Sequence, residues 1–260
     1  MSGIMTKVNL YMKAIILAGG FAKRLWPLTK DYPKPLLKVN EKAIIEHILE
    51  KIVTVDGIDK IYISSNETFE KHFRDELKHH LEKEHIDLAI EPTTHEGDKL
   101  GAIGAIHYLI KKEKIDDDIL IIAGDNLFGF DINDFVYTFR KAHKPVIAFY
   151  DIKDIDKVRN TYGNVLLDEV SRVRNFVEKP AEPLSTLIST ACYIFPKSAL
   201  RLLDEYMKSE DKRDAPGYFI SWLHKKEEVI GFVFDEHWFD IGSHEALAEA
   251  REFYAELKKR

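Results

Sequence analysis

Cysteine is almost missing from this chain of 260 residues: Cys192 stands alone. An intramolecular disulfide and a CxxC metal site are both excluded, and Cys192 is expected to pack in the core. No apolar run approaches the roughly 20 residues that span a bilayer, and residues 1–11 (MSGIMTKVNLY) lack the apolar segment of a secretory signal. A cytoplasmic protein with no membrane partner is expected. Positive charge is not in excess, since 38 Lys and Arg stand against 44 Asp and Glu for a net charge of −6. That total offers no general surface for nucleic acid, and it is compatible with a monomer or a homo-oligomer. HExxH and EF-hand metal motifs, the GxGxxG turn, the Walker A loop and the GxSxG elbow are all missing. The 11 histidines therefore have no nucleophile motif beside them, and His79, His80, His85 and His95 read as solvated residues of a charged stretch.

What is present is an alternation of apolar strands and amphipathic helices. The composition, 45% hydrophobic and 32% charged, suits one large α/β domain. Strands are expected at AIIL (14–17), KIYISS (60–65), DLAI (87–90), 119–123 and 146–150. Between them, helical spacing is read at 41–55, at Phe69, Phe73, Leu77 and Leu81, at 102–112 and at 132–141. Strands alternating with helices imply a parallel-rich sheet covered on both faces. Beyond Asp151 the texture changes to short strands at 164–167, 173–177, 190–195 and 229–234, with helices at 198–207, 218–224 and 243–257. This half is expected to add antiparallel strands that wall a cleft, and Ser243 is a natural cap for the last helix.

The stretch Ala14–Leu37, AIILAGGFAKRLWPLTKDYPKPLL, carries the chemistry most plainly. A buried strand ends at Gly19 and Gly20, where the backbone can approach a ligand closely, and Lys23, Arg24, Lys30 and Lys34 follow in a Pro-punctuated loop. Such an arrangement suits phosphate. The run resembles the signature GGxxxRLxPLTxxxPKPLL of the sugar-1-phosphate nucleotidylyltransferases at every fixed position. Asp125 in AGDNLF resembles that family's GDN element, and Trp238, Asp240 and Gly242 in WFDIGSHEAL resemble its WxDxGTPxxL, with Ser243-His244 in place of Thr-Pro. FVEKP (176–180) and TYGNV (161–165) resemble its sugar-binding elements. In TACY (190–193) Ala191 stands where relatives often carry Gly.

The resemblance implies a Rossmann-like, GT-A-like nucleotidyltransferase fold with a mixed, mostly parallel sheet flanked by helices and antiparallel sugar-binding additions. One domain over 12–260 is expected, its nucleotide-binding part at about 12–150, its sugar-phosphate part at about 151–240 and a C-terminal helix at 243–257. Residues 1–11 read as an extension, and no hexapeptide array announces a C-terminal β-helix. An NTP and a sugar 1-phosphate are the implied partners and Mg²⁺ the implied cofactor, held by Asp125 and Asp240. Nucleotide contacts are implied for Leu17, Ala18, Gly19, Gly20, Arg24, Lys34, Glu91 and Gly101. Sugar-phosphate contacts are implied for Asn126, Tyr162, Gly163, Glu178, Lys179, Tyr193 and Trp238. Arg24, Lys34 and Lys179 are the implied catalytic cations.

The nucleobase is less constrained. Glu91 stands where thymine- and uracil-using relatives commonly carry Gln, and an ionised carboxylate only accepts hydrogen bonds, which also suits the N–H edge of guanine. The motif set favours dTTP or UTP with glucose 1-phosphate; a mannose-1-phosphate guanylyltransferase is the alternative within the family. A non-catalytic nucleotide- or sugar-phosphate-binding regulator is the alternative from another class, and a dinucleotide-dependent dehydrogenase is opposed by the missing third glycine and acidic ribose signal. If Arg24 acts on the triphosphate by charge and geometry, Arg24→Ala lowers turnover by orders of magnitude with the fold kept. Near-normal pyrophosphate release by a folded variant would overturn that role.

Overall fold

A computed structural model describes residues 11–83, 85–209 and 213–259. The extension read over residues 1–11 lies outside the described residues except for Tyr11. Thirteen strands form among the described residues: β1 (Met12–Leu17), β2 (Lys38–Val39), β3 (Lys42–Ala43), β4 (Ile58–Asn66), β5 (Ile86–Glu91), β6 (Asp118–Ala123) and β7 (Asn126–Phe128) come first. They are followed by β8 (Val146–Asp151), β9 (Gly163–Leu167), β10 (Val173–Glu178), β11 (Leu187–Phe195), β12 (Ile230–Phe234) and β13 (Trp238–Asp240). The helices are α1 (Ile44–Ile52), α2 (Glu70–Glu76), α3 (Lys78–Leu81), α4 (Gly101–Lys112), α5 (Ile132–Ala142), α6 (Ile155–Val158), α7 (Leu200–Ser209), α8 (Pro216–Leu223) and α9 (His244–Leu257).

The main sheet runs β10-β9-β11-β6-β1-β4-β5, with β8 pairing both β11 and β12. β1 lies parallel between β4 and β6, and β5 is parallel to β4, so four strands present their carboxyl ends at one edge. β11 turns the direction: it is antiparallel to β6, β8 and β9. Alternation of side chains explains why both faces are covered. Ala14, Ile16, Leu120 and Ile122 enter one buried cluster with α1, α2 and α5, while Ile15, Ile119 and Ile121 enter another with α4, α7 and α8. Cys192 is fully buried in the first, as expected of a packing residue.

A third cluster fixes the glycine-rich loop. Leu25, Leu37 and Val39 pack with Ile44, Leu127, Ile241, Leu247 and Ala250, so the loop is sealed between α1, β7 and α9. Polar ties reinforce it. Thr29 Oγ1 donates to the Ala22 carbonyl at 2.8 Å, and Arg251 Nε of α9 donates to the Lys38 carbonyl at 2.9 Å. Ser243 caps α9 by accepting the Ala246 N–H at 3.2 Å, the role anticipated for it.

Four elements depart from the sequence reading. The helix expected from Glu41 starts at Ile44, because Asn40 and Glu41 take left-handed φ values of 51° and 70° in a tight β2–β3 hairpin. The single helix through Phe69 and Leu81 is broken at Leu77, whose ψ of 16° leaves the helical range while its side chain stays buried. Four-residue spacing had reported a shared face and not continuity. The helix expected from Ser198 is a 3₁₀ turn (Lys197–Ala199) leading into α7. β11 is longer than read and loses register against β8 between Ser189 and Tyr193, where Ala191 adopts a φ of 55°.

Leu25 is completely buried beneath the loop. Leu25→Ala should cost about 2–5 kcal/mol in urea unfolding, from lost burial and the cavity left. A cost well under about 1 kcal/mol would mean that the loop is not held by that core.

Candidate active site

One cavity of about 720 Å³ opens at the carboxyl ends of β1, β5 and β6. Ligands in open α/β sheets bind at such an edge. Leu17, Ala18, Gly19 and Gly20 form part of its wall, with Arg24, Glu91 and Gly101. Asp125, Asn126, Tyr162, Gly163, Glu178 and Lys179 also line it, with Tyr193, Trp238 and Asp240. Lys34 is behind this lining and reaches it through an ion pair with Asp125 Oδ2. Residues from both halves of the sequence thus face one space.

The two aspartates meet because of strand pairing. β7 follows Asp125 directly and pairs antiparallel with β13, setting Asp240 opposite Asn126. Ile241 N–H donates to the Asp125 carbonyl at 3.0 Å, which locks the two segments side by side. Asn126 is buried, and both ends of its amide are engaged: Nδ2 donates to Asp125 Oδ1 at 2.8 Å, and Oδ1 accepts from Trp238 Nε1 at 2.7 Å. Sequence reading placed Asn126 and Trp238 against sugar phosphate; the hydrogen bonds they make orient the Asp125 carboxylate.

Charge is distributed unevenly over the pair. Burial works to raise Asp125, but the Lys34 ammonium and the Asn126 amide outweigh it and hold the carboxyl below its usual range. Asp240 is pushed up to about 6, first by burial and then by the Asp125 charge, against the pull of Lys34, Arg24 and Lys179. Those three cations come from three separate elements and act on the same carboxyl. Arg24 lies over Gly242, where a Cβ would sit 3.3 Å from its Nη2. Two facing carboxylates offer oxygen ligands to a divalent cation but too few to enclose one. No group of three or more His, Cys, Asp or Glu side chains is placed for a metal among the described residues. The donor set therefore fits Mg²⁺, which is usually held by one or two carboxylates with phosphate oxygens and water completing the shell.

The nucleotide side is built on glycine and a buried carboxylate. Asn66 Nδ2 donates to the Gly19 carbonyl at 2.7 Å, and Ala18 N–H donates to the Ser64 carbonyl at 2.7 Å. Glu91 accepts from Ser64 Oγ at 2.9 Å, and a Cβ on Gly19 would lie 3.3 Å from its Oε1. Burial raises the Glu91 carboxyl, with the Ser64 bond opposing. Beside it the Thr93 hydroxyl is buried with no hydrogen-bond partner among the described residues. Gly101 has a φ of 72° and touches the Arg213 carbonyl, where a Cβ would come within 2.5 Å. The N–H groups of Ala102 and Ile103 are taken by the Asp214 and Arg213 carbonyls, at 3.2 and 3.0 Å. The first turn of α4, where Gly101 was expected against the nucleotide, thus spends those two groups on the protein itself.

On the opposite side, register pairs Glu178 with Gly163. The Glu178 side chain is only 8% exposed, whereas Lys179, 4.0 Å from it, is half exposed. Burial raises Glu178, with Lys179 opposing. Tyr193 is buried, its hydroxyl 3.5 Å from Ser189 Oγ, and burial lifts it far above the ordinary tyrosine value. His80, read as solvated, is partly buried and lies 3.4 Å from Glu46; His79 is freely exposed. Sequence reasoning missed Ser64, Asn66, Thr93, Lys99, Asp214 and Gly217. Ser64 and Asn66 end an apolar strand, a signal applied to Asp125 and left unused here.

A sequence profile of the nucleotidyl transferase family matches residues 13–257. The chain is 31% identical over 242 residues to the bifunctional protein GlmU of Methanocaldococcus jannaschii, covering 93% of this chain and 54% of that protein. It is 30% identical over 243 residues to a UTP–glucose-1-phosphate uridylyltransferase of Synechocystis sp., covering 89% of this chain and 60% of that protein. The chain spans little more than half the length of these relatives. Its fold matches that of a UDP-glucose pyrophosphorylase complexed with UDP-glucose at a TM-score of 0.77 and 20% identity, over 96% of this chain and 100% of that one. The architecture is thus a nucleotidyltransferase fold. The chain belongs to the nucleotidyl transferase family.

The raised Asp240 carboxyl has a consequence for stability. With a folded value of about 6 against an ordinary 3.8, the native state holds a proton that the unfolded state has lost in this window. Without metal, stability therefore falls as pH rises from 3.8 to about 6, by at most about 3 kcal/mol. Asp240→Asn should remove that fall, leaving the variant the more stable protein at pH 8 in chelator, as urea titrations across pH would record. Parallel pH profiles for the two proteins would contradict the assignment.

Proposed function

We propose that this chain joins an NTP to a sugar 1-phosphate, giving an NDP-sugar and pyrophosphate. The observation that carries the reading is the convergence of Arg24, Lys34 and Lys179 on the Asp125–Asp240 pair, between the glycine-bounded side of the cavity and the Glu178–Lys179 side. An oxygen of the sugar phosphate attacks the α-phosphorus in line; the bond from that phosphorus to the β-phosphate oxygen breaks, and pyrophosphate leaves. A phosphate monoester is already an anionic nucleophile, so the protein's task is placement and charge neutralisation. Arg24, exposed at the cavity mouth, takes charge that builds on the leaving pyrophosphate. Lys34 tends the α-phosphate from its place on Asp125, and Lys179 brings in the sugar phosphate.

Asp125 and Asp240 would hold Mg²⁺, which supplies Lewis-acid neutralisation of phosphate charge when bound. Gly19 and Gly20 admit the nucleotide close to the main chain, and Glu178 accepts from sugar hydroxyls. The motif set favours dTTP or UTP with glucose 1-phosphate. Guanine is the second reading, favoured by Glu91: a buried carboxylate next to Gly19 can accept two N–H groups from one base edge. We infer one nucleotidyltransferase domain over 12–260, with the nucleotide part before about residue 150 and the sugar part after it.

The test is a matrix of NTPs, including dTTP, against glucose, galactose, mannose and N-acetylglucosamine 1-phosphates with Mg²⁺, read out as pyrophosphate. Release with one or a few pairs is expected, and none with any pair would favour a non-catalytic binding protein. Lys179→Ala should raise KM for the sugar 1-phosphate by about 10–100-fold, the value of a lost charged hydrogen bond, and change KM for the NTP by less than about threefold. Equal changes in both would contradict its assignment to the sugar side.

A further inference from the structure

Gly217 sits in the first turn of α8, and its backbone does not require a glycine, since its φ lies outside the left-handed region that Gly101 occupies. Glycine in a helix costs about 1 kcal/mol relative to alanine, so its presence in this turn calls for a reason of space. That reason is Glu178. A Cβ built on Gly217 would lie 1.7 Å from Glu178 Oε2 and 2.7 Å from its Cδ, with the Phe176 ring edge next at 3.2 Å. On the other side, a Cβ on Gly163 would lie 2.9 Å from the same Oε2 and 2.6 Å from Phe176 Cζ. The carboxylate is therefore held in a slot between two bare Cα atoms, one on β9 and one on α8. It is 92% buried by side-chain exposure of 8%, with the Lys179 ammonium 4.0 Å away as its one ion-pair partner among the described residues.

We propose that Gly217 is a positioning residue for sugar recognition: the space left by its missing side chain seats the Glu178 carboxylate and so fixes the depth at which sugar hydroxyls are read. This rests on the reading of the cavity as an NTP and sugar 1-phosphate site. Because Oε2 is packed between glycines, any side chain at 217 drives the carboxylate outward into the volume the sugar would fill. The ligand class is an aldose 1-phosphate with a free hydroxyl at the position facing Glu178. The nucleotide, on the Gly19 and Glu91 side, is not touched by the change.

Two measurements on Gly217→Ala test this separately from the reaction itself. The first uses no substrate: the Glu178 carboxyl, assigned in ¹³C NMR by comparison with Glu178→Gln, is titrated in both proteins. The variant should titrate lower, toward the ordinary carboxylate range, because its carboxylate has been driven into water; an unchanged titration overturns the proposal whatever the enzyme does. In the second, KM for the sugar 1-phosphate should rise about tenfold or more while KM for the NTP stays within about threefold. Adding Glu178→Asp, one methylene shorter, should restore part of the loss, and a rise shared by both substrates or no recovery would contradict the proposal. If Gly217→Ala folds poorly, Gly217→Ala with Glu178→Ala should regain the melting temperature, since the carboxylate is what the new methyl meets first. Failure to regain it would place the cause elsewhere and overturn the assignment. A wild-type protein that releases no pyrophosphate with any substrate pair would instead overturn the functional reading and leave the titration result standing.

Discussion

The ion pair between Lys34 and Asp125, with Asp240 facing it, is the contact on which the site depends. A carboxylate partly withdrawn from water is costly unless compensated, and two of them side by side cost more. Here the first is compensated by Lys34 and by the amide of Asn126. The second is left partly uncompensated and carries the strain as a raised carboxyl. A site in this state is prepared for additional positive charge. It is also prepared for anions that bring their own cation, which is the condition of a triphosphate in a cell.

The fold supplies this contact from distant parts of the chain. β1 and β6 run in register from Met12 and Asp118 to Leu17 and Ala123, so the glycine loop and the Asp125 turn leave the sheet together. The β7–β13 pair returns the C-terminal segment to the same edge, and the α9 helix seals it by packing Leu247 and Ala250 against Leu25 of the loop. The reversal of direction at β11 then places β9 and β10, with Gly163 and Glu178, across the cavity. One sheet thus carries both walls. Burial of Leu25 and Leu37 and the setting of the loop's cations are consequences of the same packing.

How much of this was legible in the sequence depended on whether the signal was local. The strands at AIIL and ILIIA, the Ser243 cap and the Gly19-Gly20 loop are set by adjacent residues, and each is found where the pattern put it. The breaks were not legible in the same way. Asn40 and Glu41 leave the helix because a hairpin needs left-handed residues there, and Leu77 interrupts a helix whose apolar spacing continues across it. Both are decided by what the chain packs against. Gathering of the predicted site residues around one cavity could be expected only from the family resemblance, since no spacing rule relates Asp125 to Asp240. Gly217 was silent for a further reason: its meaning is the absence of atoms beside a residue on another element, which no pattern in its own neighbourhood records. Asn126 shows the converse, a polar residue read as a ligand contact whose amide is spent on Asp125 and Trp238.

On the proposed reading, Asp125 and Asp240 act together as a cation site completed by nucleotide phosphates. Electron paramagnetic resonance of Mn²⁺ as a probe, with and without a non-hydrolysable NTP analogue, tests it most directly. Tight Mn²⁺ binding is expected only when the nucleotide is present, and it should be lost in both Asp125→Asn and Asp240→Asn. Mn²⁺ bound equally well without nucleotide, or undisturbed by either substitution, would contradict it.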